Sequence, residues 1–352
     1  MARGFDAHNR GFALVLVLWI LALLSVLVGE FTRTMRTEIH ITGNLKEETQ
    51  GYYFARAGVE LAVQGLLHKD PVFPLRLEKD ALLSEEEKYA WHIGSEIPPI
   101  GFKGGRIDIK IENESGKINI NTAGQSLLQL MLNPFDLGDE EKNIIVDSIQ
   151  DWRDADDLHR LYGAENDYYQ SLPVPYSAKN GDFDSVEELL RVRGVTPEIF
   201  YGGLQEMVTI YPRKESEALQ AGGRRPASTA ASRININAAS PRLLRALPLM
   251  TDDLVAAILE YRAEKPFQSI AQAVPVVGAE VFQVITPYLS TDLVPQYTVS
   301  AVGSIPEGSA RRGVQAVIEL DPTLKNKYRT LEWLDHIEFW PKSAEKSLDF
   351  SG

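Results

Sequence analysis

The sequence predicts an α+β fold in which a long N-terminal helix packs on an antiparallel sheet and a large α-helical insertion interrupts that sheet. Three observations predict this architecture. An apolar run near the N-terminus is followed by a stretch that contains no proline as far as Leu67. Strand-like alternation occurs both early and late in the chain, and the motif Ile-Asn-Ile-Asn occurs twice in between. Each periodicity marks an element with one buried face.

The composition excludes several classes of function. The 352 residues carry a formal net charge of −13, so the chain lacks the basic field that nucleic-acid binders usually present. Cysteine is absent, which excludes disulfides, thiolate catalysis and cysteine-ligated metals. Neither a Gly-x-Ser-x-Gly motif nor a glycine-rich phosphate loop occurs. The sequence therefore predicts a protein that is not an enzyme.

Residues 12–29 contain no charged side chain. At about 1.5 Å per residue, a helix over this run is about 27 Å long, close to a hydrocarbon core of about 30 Å. Arg3 and Arg10 precede the run and favour a cytoplasmic N-terminus. The rest of the chain is then expected on the other side of the membrane.

Three interpretations fit this segment. A secretory signal peptide would end at a small-x-small cleavage site, and the run instead ends in Val-Leu-Val-Gly-Glu. A plain membrane anchor is the second interpretation. The third depends on Arg10-Gly11-Phe12, because a short basic leader ending in Gly-Phe before an apolar helix resembles a type IV prepilin leader. That resemblance implies cleavage by a prepilin peptidase between Gly11 and Phe12.

Leu16 stands where most pilins carry glutamate, at the fifth residue after this cleavage site. In pilin-like filaments the glutamate is implied to neutralise the N-terminal amine of a neighbouring subunit. An unpaired carboxylate at that depth costs about 2.5–3.5 kcal/mol. A subunit with no neighbour above it has no amine to pair, so Leu16 favours a position at the filament tip.

The helix is expected to continue beyond the membrane to Leu67. Leu45, Tyr52, Val59 and Leu66 recur every seven residues and predict a buried helical stripe. Because the glycines in this stretch each cost about 1 kcal/mol relative to alanine, the helix needs packing against another element. A helix half in the membrane and half on a sheet is the pilin-like architecture.

The internal repeat aligns residues 118–128 with residues 234–244, and seven of the eleven positions are identical. Arg153 then aligns with Arg262, each after an aromatic residue, and a Phe-x-Ser segment follows in both copies. Two copies of one helical unit are predicted. Asn121 and Asn237 are expected to cap the first short helix of each copy.

These units resemble helix-hairpin-helix or SAM-like modules of the kind found in DNA-uptake receptors. In such modules a Leu-Pro-Gly-Ile-Gly hairpin offers backbone N–H groups to phosphate, whereas residues 247–251 read Leu-Pro-Leu-Met-Thr. Side chains in place of glycine block that approach. Residues 116–213 also carry a net charge of −9. We therefore expect no nucleic-acid partner, and a membrane-anchored DNA receptor for uptake is the alternative function.

Strands are expected on both sides of the helical region. Residues 106–112 alternate polar and apolar side chains, and residues 297–302, 313–320 and 328–339 are predicted to return as an antiparallel meander.

The order of these motifs resembles general secretion pathway protein K, the large minor pseudopilin family of type II secretion systems. The resemblance implies an inner-membrane protein of a Gram-negative bacterium with one membrane span and a periplasmic C-terminal domain. It implies a tip complex with minor pseudopilins I and J that caps or initiates the pseudopilus for protein export across the outer membrane. Other pseudopilins, the prepilin peptidase and the inner membrane are further implied partners.

Acidic residues crowd the loop after Arg153, where like charges repel unless a cation bridges them. Ca²⁺ prefers six to eight oxygen ligands and suits such a loop, although the spacing differs from an EF-hand. A solvated acidic loop is the alternative. The family resemblance implies calcium near the Gly-Ala-Glu segment. The predicted ligands are Asp154, Asp156, Glu165 and Asp167.

The domain organisation follows from these assignments. The expected segments are a prepilin leader at 1–11, a transmembrane part at 12–29, a first part of the pilin-like head at 30–115, a first helical repeat with the acidic loop at 116–213, a flexible linker at 214–232, a second helical repeat at 233–292, returning strands of the head at 293–341 and a C-terminal tail at 342–352.

Overall fold

A computed structural model of the chain describes residues 8–67, 97–212, 233–305 and 310–337, with side chains from Leu14 onward in the first range. Most of the predicted leader, the linker at 214–232 and the tail at 342–352 lie outside the described residues.

Helix α1 (His8–Leu67) is continuous, as the sequence predicts. From Leu14 to Lys46 its side chains are exposed on all sides. Only its C-terminal part packs on the sheet, where Ala55, Val59, Ala62 and Val63 are buried. The predicted seven-residue stripe is therefore wrong at its start. Leu45 is 61% exposed because the helix has already left the sheet at that point.

Glycines allow α1 to lie close to the sheet. A Cβ atom on Gly58 would lie 2.6 Å from Ile107 Cγ2 and 2.8 Å from Ala301 Cβ. On the sheet side, a Cβ on Gly303 would lie 2.0 Å from the carbonyl oxygen of Gly51. The conformational cost of these glycines in a helix is thus offset by a close helix–sheet contact.

Five strands are β1 (Ile100–Phe102), β2 (Gly105–Asn113), β7 (Gln296–Ser304), β8 (Arg311–Leu320) and β9 (Tyr328–Leu334). They form one antiparallel sheet in that order. Residues of β2, β7 and β8 at alternating positions face α1 and form the core of the head. The expected strand at 328–339 is shorter than predicted. It ends at Leu334, and Asp335 then accepts hydrogen bonds from Tyr52 and Trp333.

The helical insertion lies between β2 and β7 and has its own core. Each unit is closed by a two-residue parallel pair, β3 with β4 in the first and β5 with β6 in the second. The first unit contains β3 (Ile118–Asn119), α2 (Gln125–Met131), α3 (Asp139–Arg153), α4 (Asn166–Gln170), α5 (Pro197–Ile199), α6 (Gln205–Met207) and β4 (Val208–Thr209). The second contains β5 (Ile234–Asn235), α7 (Pro241–Ala246), α8 (Asp252–Glu264), α9 (Val274–Val277), α10 (Ala279–Ile285) and β6 (Leu289–Ser290).

The repeated asparagines have the same role in both units, but they do not cap the first helix. Gly124 and Ser240 occupy those cap positions. The Asn121 carboxamide instead donates to the carbonyl oxygen of Phe183 and accepts from its N–H, and Asn237 does the same with Phe267. The expected caps are wrong because each side chain crosses the unit to satisfy a buried peptide group.

The repeated arginines are also equivalent. The Arg153 guanidinium donates to the carbonyl oxygens of Ile120 and Ala123, and that of Arg262 donates to the carbonyl oxygens of Ile236 and Ala239. Burial lowers the pKa of Arg262 to about 10. The duplication inferred from the sequence therefore extends to individual hydrogen bonds.

The two units pack directly on each other beside their hairpins. The first hairpin is the segment at 132–136 between α2 and α3, and the second is the segment at 247–251 between α7 and α8. The Asn133 amide, in the first hairpin, donates to the carbonyl oxygen of Ala246 at 3.0 Å. The Arg242 guanidinium lies over the Phe135 ring, and it fills the space that a Cβ on Gly203 would need. Gly203 has a φ of 126°, so this position favours glycine on two grounds.

Candidate metal centre

The acidic loop is an addition to one of the two repeated units. Between the equivalent residues Arg153 and Phe183 the first unit holds residues 154–182. Between Arg262 and Phe267 the second unit holds only residues 263–266. The second unit folds without such a loop, so the loop is not required by the helical fold itself.

Three of the four predicted ligands come together. One carboxylate oxygen from each of Asp154, Asp156 and Glu165 lies within 4.8 Å of the other two. Asp154 directly follows the last residue of α3, as its C-cap. Glu165 lies just before α4, where its carbonyl oxygen accepts the N–H groups of Tyr168 and Tyr169. The ends of two helices therefore fix two of the three carboxylates.

Asp167 does not belong to this cluster. Its side chain is exposed and accepts the N–H of Tyr168 at 2.8 Å within the first turn of α4. A position two residues after Glu165 on a helical turn projects away from the side chain of Glu165, since neighbours on one helix face lie three or four residues apart.

Glu165 is the most unusual member of the cluster. Its side chain is 1% exposed, and neither carboxylate oxygen has a hydrogen-bond partner. Burial raises the pKa of Glu165 to about 7, with a further contribution from the nearby carboxylates of Asp151, Asp154, Asp157 and Asp156. A buried carboxylate without a partner is costly, and a bound cation would remove that cost.

Asp154 uses only one of its oxygens. Oδ2 accepts the Arg160 guanidinium at 2.6 Å, while Oδ1 is buried without a partner. Asp154 therefore offers one free buried oxygen beside those of Glu165.

Asp151 is a part of the site that the sequence analysis missed. Its carboxylate is fully buried and accepts both the backbone N–H and the guanidinium of Arg160. Burial raises the pKa of Asp151, and Arg160 opposes that rise. A Cβ on Gly163 would lie 1.8 Å from Asp151 Oδ2, so only glycine allows the loop this close. In the alignment of the two units Asp151 corresponds to Glu260, which is an exposed acid. The repeat therefore gave no indication that Asp151 is buried.

Asn180 is a second residue that the sequence analysis missed. Its amide donates to Asp157 Oδ1 at 2.9 Å and to the carbonyl oxygen of Asp156 at 3.3 Å, and its Oδ1 is buried without a partner. Asn166 also donates to Asp157, at 2.8 Å. The left-handed backbone of Asn180, with a φ of 49°, is a signal that only the structure reveals.

The donor set fits a hard divalent cation. Carboxylate and carboxamide oxygens are the ligands that Ca²⁺ prefers, and the free oxygens of Glu165, Asp154 and Asn180 are all buried. Asp156 offers a further, exposed carboxylate.

The predicted features of the N-terminus lie in α1. Gly11 and Phe12 belong to its first turns, before the described side chains begin, so their cleavage stays a prediction. Leu16 is 48% exposed. Over the described residues, α1 is the one helix that is long and apolar enough to cross a membrane, and its most apolar window has no buried residue.

Two family models match the helical insertion. The model for type II secretion system protein K matches residues 108–213, and a helix-hairpin-helix motif matches residues 229–290. The first unit and the strand before it are thus similar to type II secretion system protein K. The protein K match begins in β2 and covers the first unit, so the acidic loop lies within the segment that matches this family model.

Curated relatives agree with this family. The type II secretion system protein K of Aeromonas hydrophila is 26% identical over 55% of this chain and 61% of its own length. The Pectobacterium carotovorum protein K is 28% identical over the same shares of the two chains. The chain thus spans about three-fifths of the length of these relatives.

A solved structure supports the fold. A chain in the crystal structure of the GspK–GspI–GspJ complex of the enterotoxigenic Escherichia coli type 2 secretion system matches with a TM-score of 0.54 and 17% identity. The match covers 87% of this chain and 100% of that one. The predicted combination of long helix, antiparallel sheet and helical insertion is confirmed.

Proposed function

We propose that this protein is a minor pseudopilin of a type II secretion system that caps or initiates the periplasmic pseudopilus. The observation that carries the proposal is the match of residues 108–213 to the protein K family model, together with the fold shared with a chain of the GspK–GspI–GspJ complex. Two smaller pseudopilins, of types I and J, are the proposed partners. The matched family model and the shared fold both belong to components of a secretion assembly. The proposed role is therefore to assemble the pseudopilus and not to catalyse a reaction.

The shape of α1 supports an anchored, filament-forming subunit. Apolar side chains from Leu14 to Val28 are exposed around the whole helix, and the same helix continues unbroken into the core of the head. Such a surface requires lipid or neighbouring apolar helices to cover it. The head is then held in the periplasm, with the inner membrane and other pseudopilins in contact with α1.

The nature of residue 16 supports a place at the tip. Leu16 and its neighbours offer no carboxylate to the amine of a subunit above. A tip subunit has no such neighbour, so an apolar residue avoids burying a charge.

We also propose that the acidic loop binds Ca²⁺ through Asp154, Asp156 and Glu165. Asn180 is a further proposed ligand because its buried Oδ1 has no partner. The ion would supply the opposite charge that the loop lacks, and it would order the loop without taking part in a reaction. Asp167 is not among the proposed ligands.

The alternative of a DNA-uptake receptor rests on the helix-hairpin-helix match at 229–290. Two observations weigh against it. Leu249, in the second hairpin, has a φ of 59° and is 57% exposed, so a side chain occupies a position where phosphate-binding hairpins use glycine. The first hairpin is tied to the second unit through Asn133. A mobility-shift assay with duplex DNA at low salt tests this alternative, and tight, salt-sensitive binding would support it.

Cleavage and assembly test the main proposal together. In a host that contains the secretion system, Gly11→Ala should leave the leader attached and abolish secretion, because the prepilin peptidase requires that glycine. Gly4→Ala, inside the leader, is the matched control and should be processed normally. The mature protein should co-purify with pseudopilins I and J. Normal processing of Gly11→Ala, or no co-purification, would contradict the proposal.

A further inference from the structure

Two leucines in the acidic loop are displayed to solvent. Leu158 is 78% exposed and Leu161 is 85% exposed, and Leu161 is the most exposed large apolar side chain in the described part of the chain. They are three residues apart, so at most about 11 Å separates their Cα atoms. Single exposed leucines are common, whereas a close pair on an added loop calls for an explanation.

The backbone around these leucines is held in place. The N–H of Leu158 donates to Asp156, that of Arg160 donates to Asp151, and that of Tyr162 donates to Asp147. Asp151 and Asp147 are both buried. The loop therefore cannot turn the leucines inward without breaking hydrogen bonds to buried carboxylates, which would leave those carboxylates without these partners.

The surroundings of the pair are negatively charged. Five acids lie between residues 154 and 167, with Arg160 the one cation in that stretch. The Arg193 guanidinium also reaches this stretch, where it donates to the carbonyl oxygen of Gly163. The five acids still outweigh Arg160, Arg193 and one divalent ion together. Asp157 and Asp167, which are exposed, keep their charge outside the three-carboxylate cluster. A second copy of this acidic surface would be repelled, and so would an anionic lipid surface.

We infer that Leu158 and Leu161 form a docking site for a protein partner whose apolar contact surface is surrounded by lysine or arginine. The loop is an insertion into one copy of a repeated unit, and insertions into repeats are often the binding elements. Apolar anchors inside a ring of complementary charge are the usual anatomy of a protein interface.

Short peptides test the inference on the full chain in nanodiscs of zwitterionic phosphatidylcholine, with Ca²⁺ present. The probe is a fluorescent Lys-Leu-Lys-Leu-Lys peptide followed by anisotropy. Lys-Ser-Lys-Ser-Lys and Glu-Leu-Glu-Leu-Glu are the comparison peptides, and empty nanodiscs measure binding to lipid. The first peptide should bind at least about tenfold more tightly than either of the others, because it combines both features of the proposed partner.

Variants locate the binding. Leu158→Ser/Leu161→Ser should weaken binding of the Lys-Leu peptide about tenfold, while Leu293→Ser, at a leucine that is 53% exposed outside the loop, should not change it. An unchanged melting temperature of the double variant shows that the fold is intact. Equal binding of the serine peptide, or equal binding by the double variant, would overturn the inference. This assay measures peptide binding and not secretion, so its outcome does not depend on the proposed pseudopilin role.

Discussion

The carboxamide of Asn121 binds both backbone groups of Phe183. Nδ2 donates to the carbonyl oxygen at 3.0 Å, and Oδ1 accepts the N–H at 2.7 Å. Sixty-two positions separate the two residues, and the acidic loop lies between them. One side chain therefore closes the loop back onto the first unit.

Asn121→Ala should destabilise the protein by about 2–4 kcal/mol, because a buried donor and a buried acceptor both lose their partner. Asn237→Ala should cost a similar amount, since Asn237 binds Phe267 in the same way. Urea unfolding followed by tryptophan fluorescence measures both. Asn44→Ala, on the exposed part of α1, is the control. A change below about 0.5 kcal/mol in the two buried variants would show that the clamp is dispensable.

Gly58→Ala should destabilise the head by about 1–3 kcal/mol, because the new methyl group meets Ile107 and Ala301 at distances that force α1 away from the sheet. Gly43→Ala is the matched change in the same helix. Nothing lies within 4 Å of its Cβ position, so it should stabilise the helix by up to about 1 kcal/mol. Thermal unfolding of both variants checks the opposite signs, and equal signs would be inconsistent with the close packing described here.

Excess Ca²⁺ should raise the melting temperature of metal-free protein, since a ligand that binds only the folded state stabilises it. The gain is about 2.7 kcal/mol when the free ion is at 100 times its dissociation constant. Glu165→Gln should abolish most of this shift, and Asp167→Asn should preserve it. Differential scanning calorimetry with and without chelator gives the comparison. A full shift in Glu165→Gln would remove Glu165 from the site.

Without a cation, the contribution of Glu165 to the stability should fall as the pH rises from about 4.5 to about 7. The ordinary pKa of glutamate is 4.5, whereas that of Glu165 in the fold is about 7, so over this range the folded state holds a proton that the unfolded state has released. Stability then decreases with pH, by about 3 kcal/mol in total. Urea unfolding in chelator across this range measures the slope. Glu165→Gln should lack this contribution, and an identical slope in the variant would assign the effect elsewhere.

Leu16→Glu should reduce secretion if the protein occupies the tip, because the new carboxylate would be buried with no amine to pair. Leu16→Val keeps an apolar side chain and serves as the control. Secretion of a reporter substrate in a strain lacking the natural copy is the measurement. Full secretion by Leu16→Glu would argue for a position lower in the filament.

Regular patterns in the sequence predicted most of the fold. The apolar run, the alternation at 106–112 and the repeated Ile-Asn-Ile-Asn motif correctly gave α1, β2 and the two helical units. The role of Asn121 was not predictable, because a capping asparagine and a clamping asparagine have the same local sequence. Only the position of Phe183 in space distinguishes them.

The candidate site was predictable in part for a similar reason. The crowding of acidic residues along the chain correctly indicated the loop. It also led us to predict Asp167 as a ligand, and it gave no reason to include Asp151 or Asn180. Which acid is buried depends on contacts such as those of Gly163 with Asp151, and these form only when the loop folds back onto α3.

Asn113 and Tyr297 are direct neighbours on β2 and β7, so the chain leaves the sheet and returns to it at adjacent points. A tight two-residue turn could join the same two strands. The head and the pair of helical units are thus structurally separate parts, each with its own hydrophobic core. The helical units could therefore be shortened or enlarged while β2 and β7 keep their pairing and α1 keeps its place on the sheet.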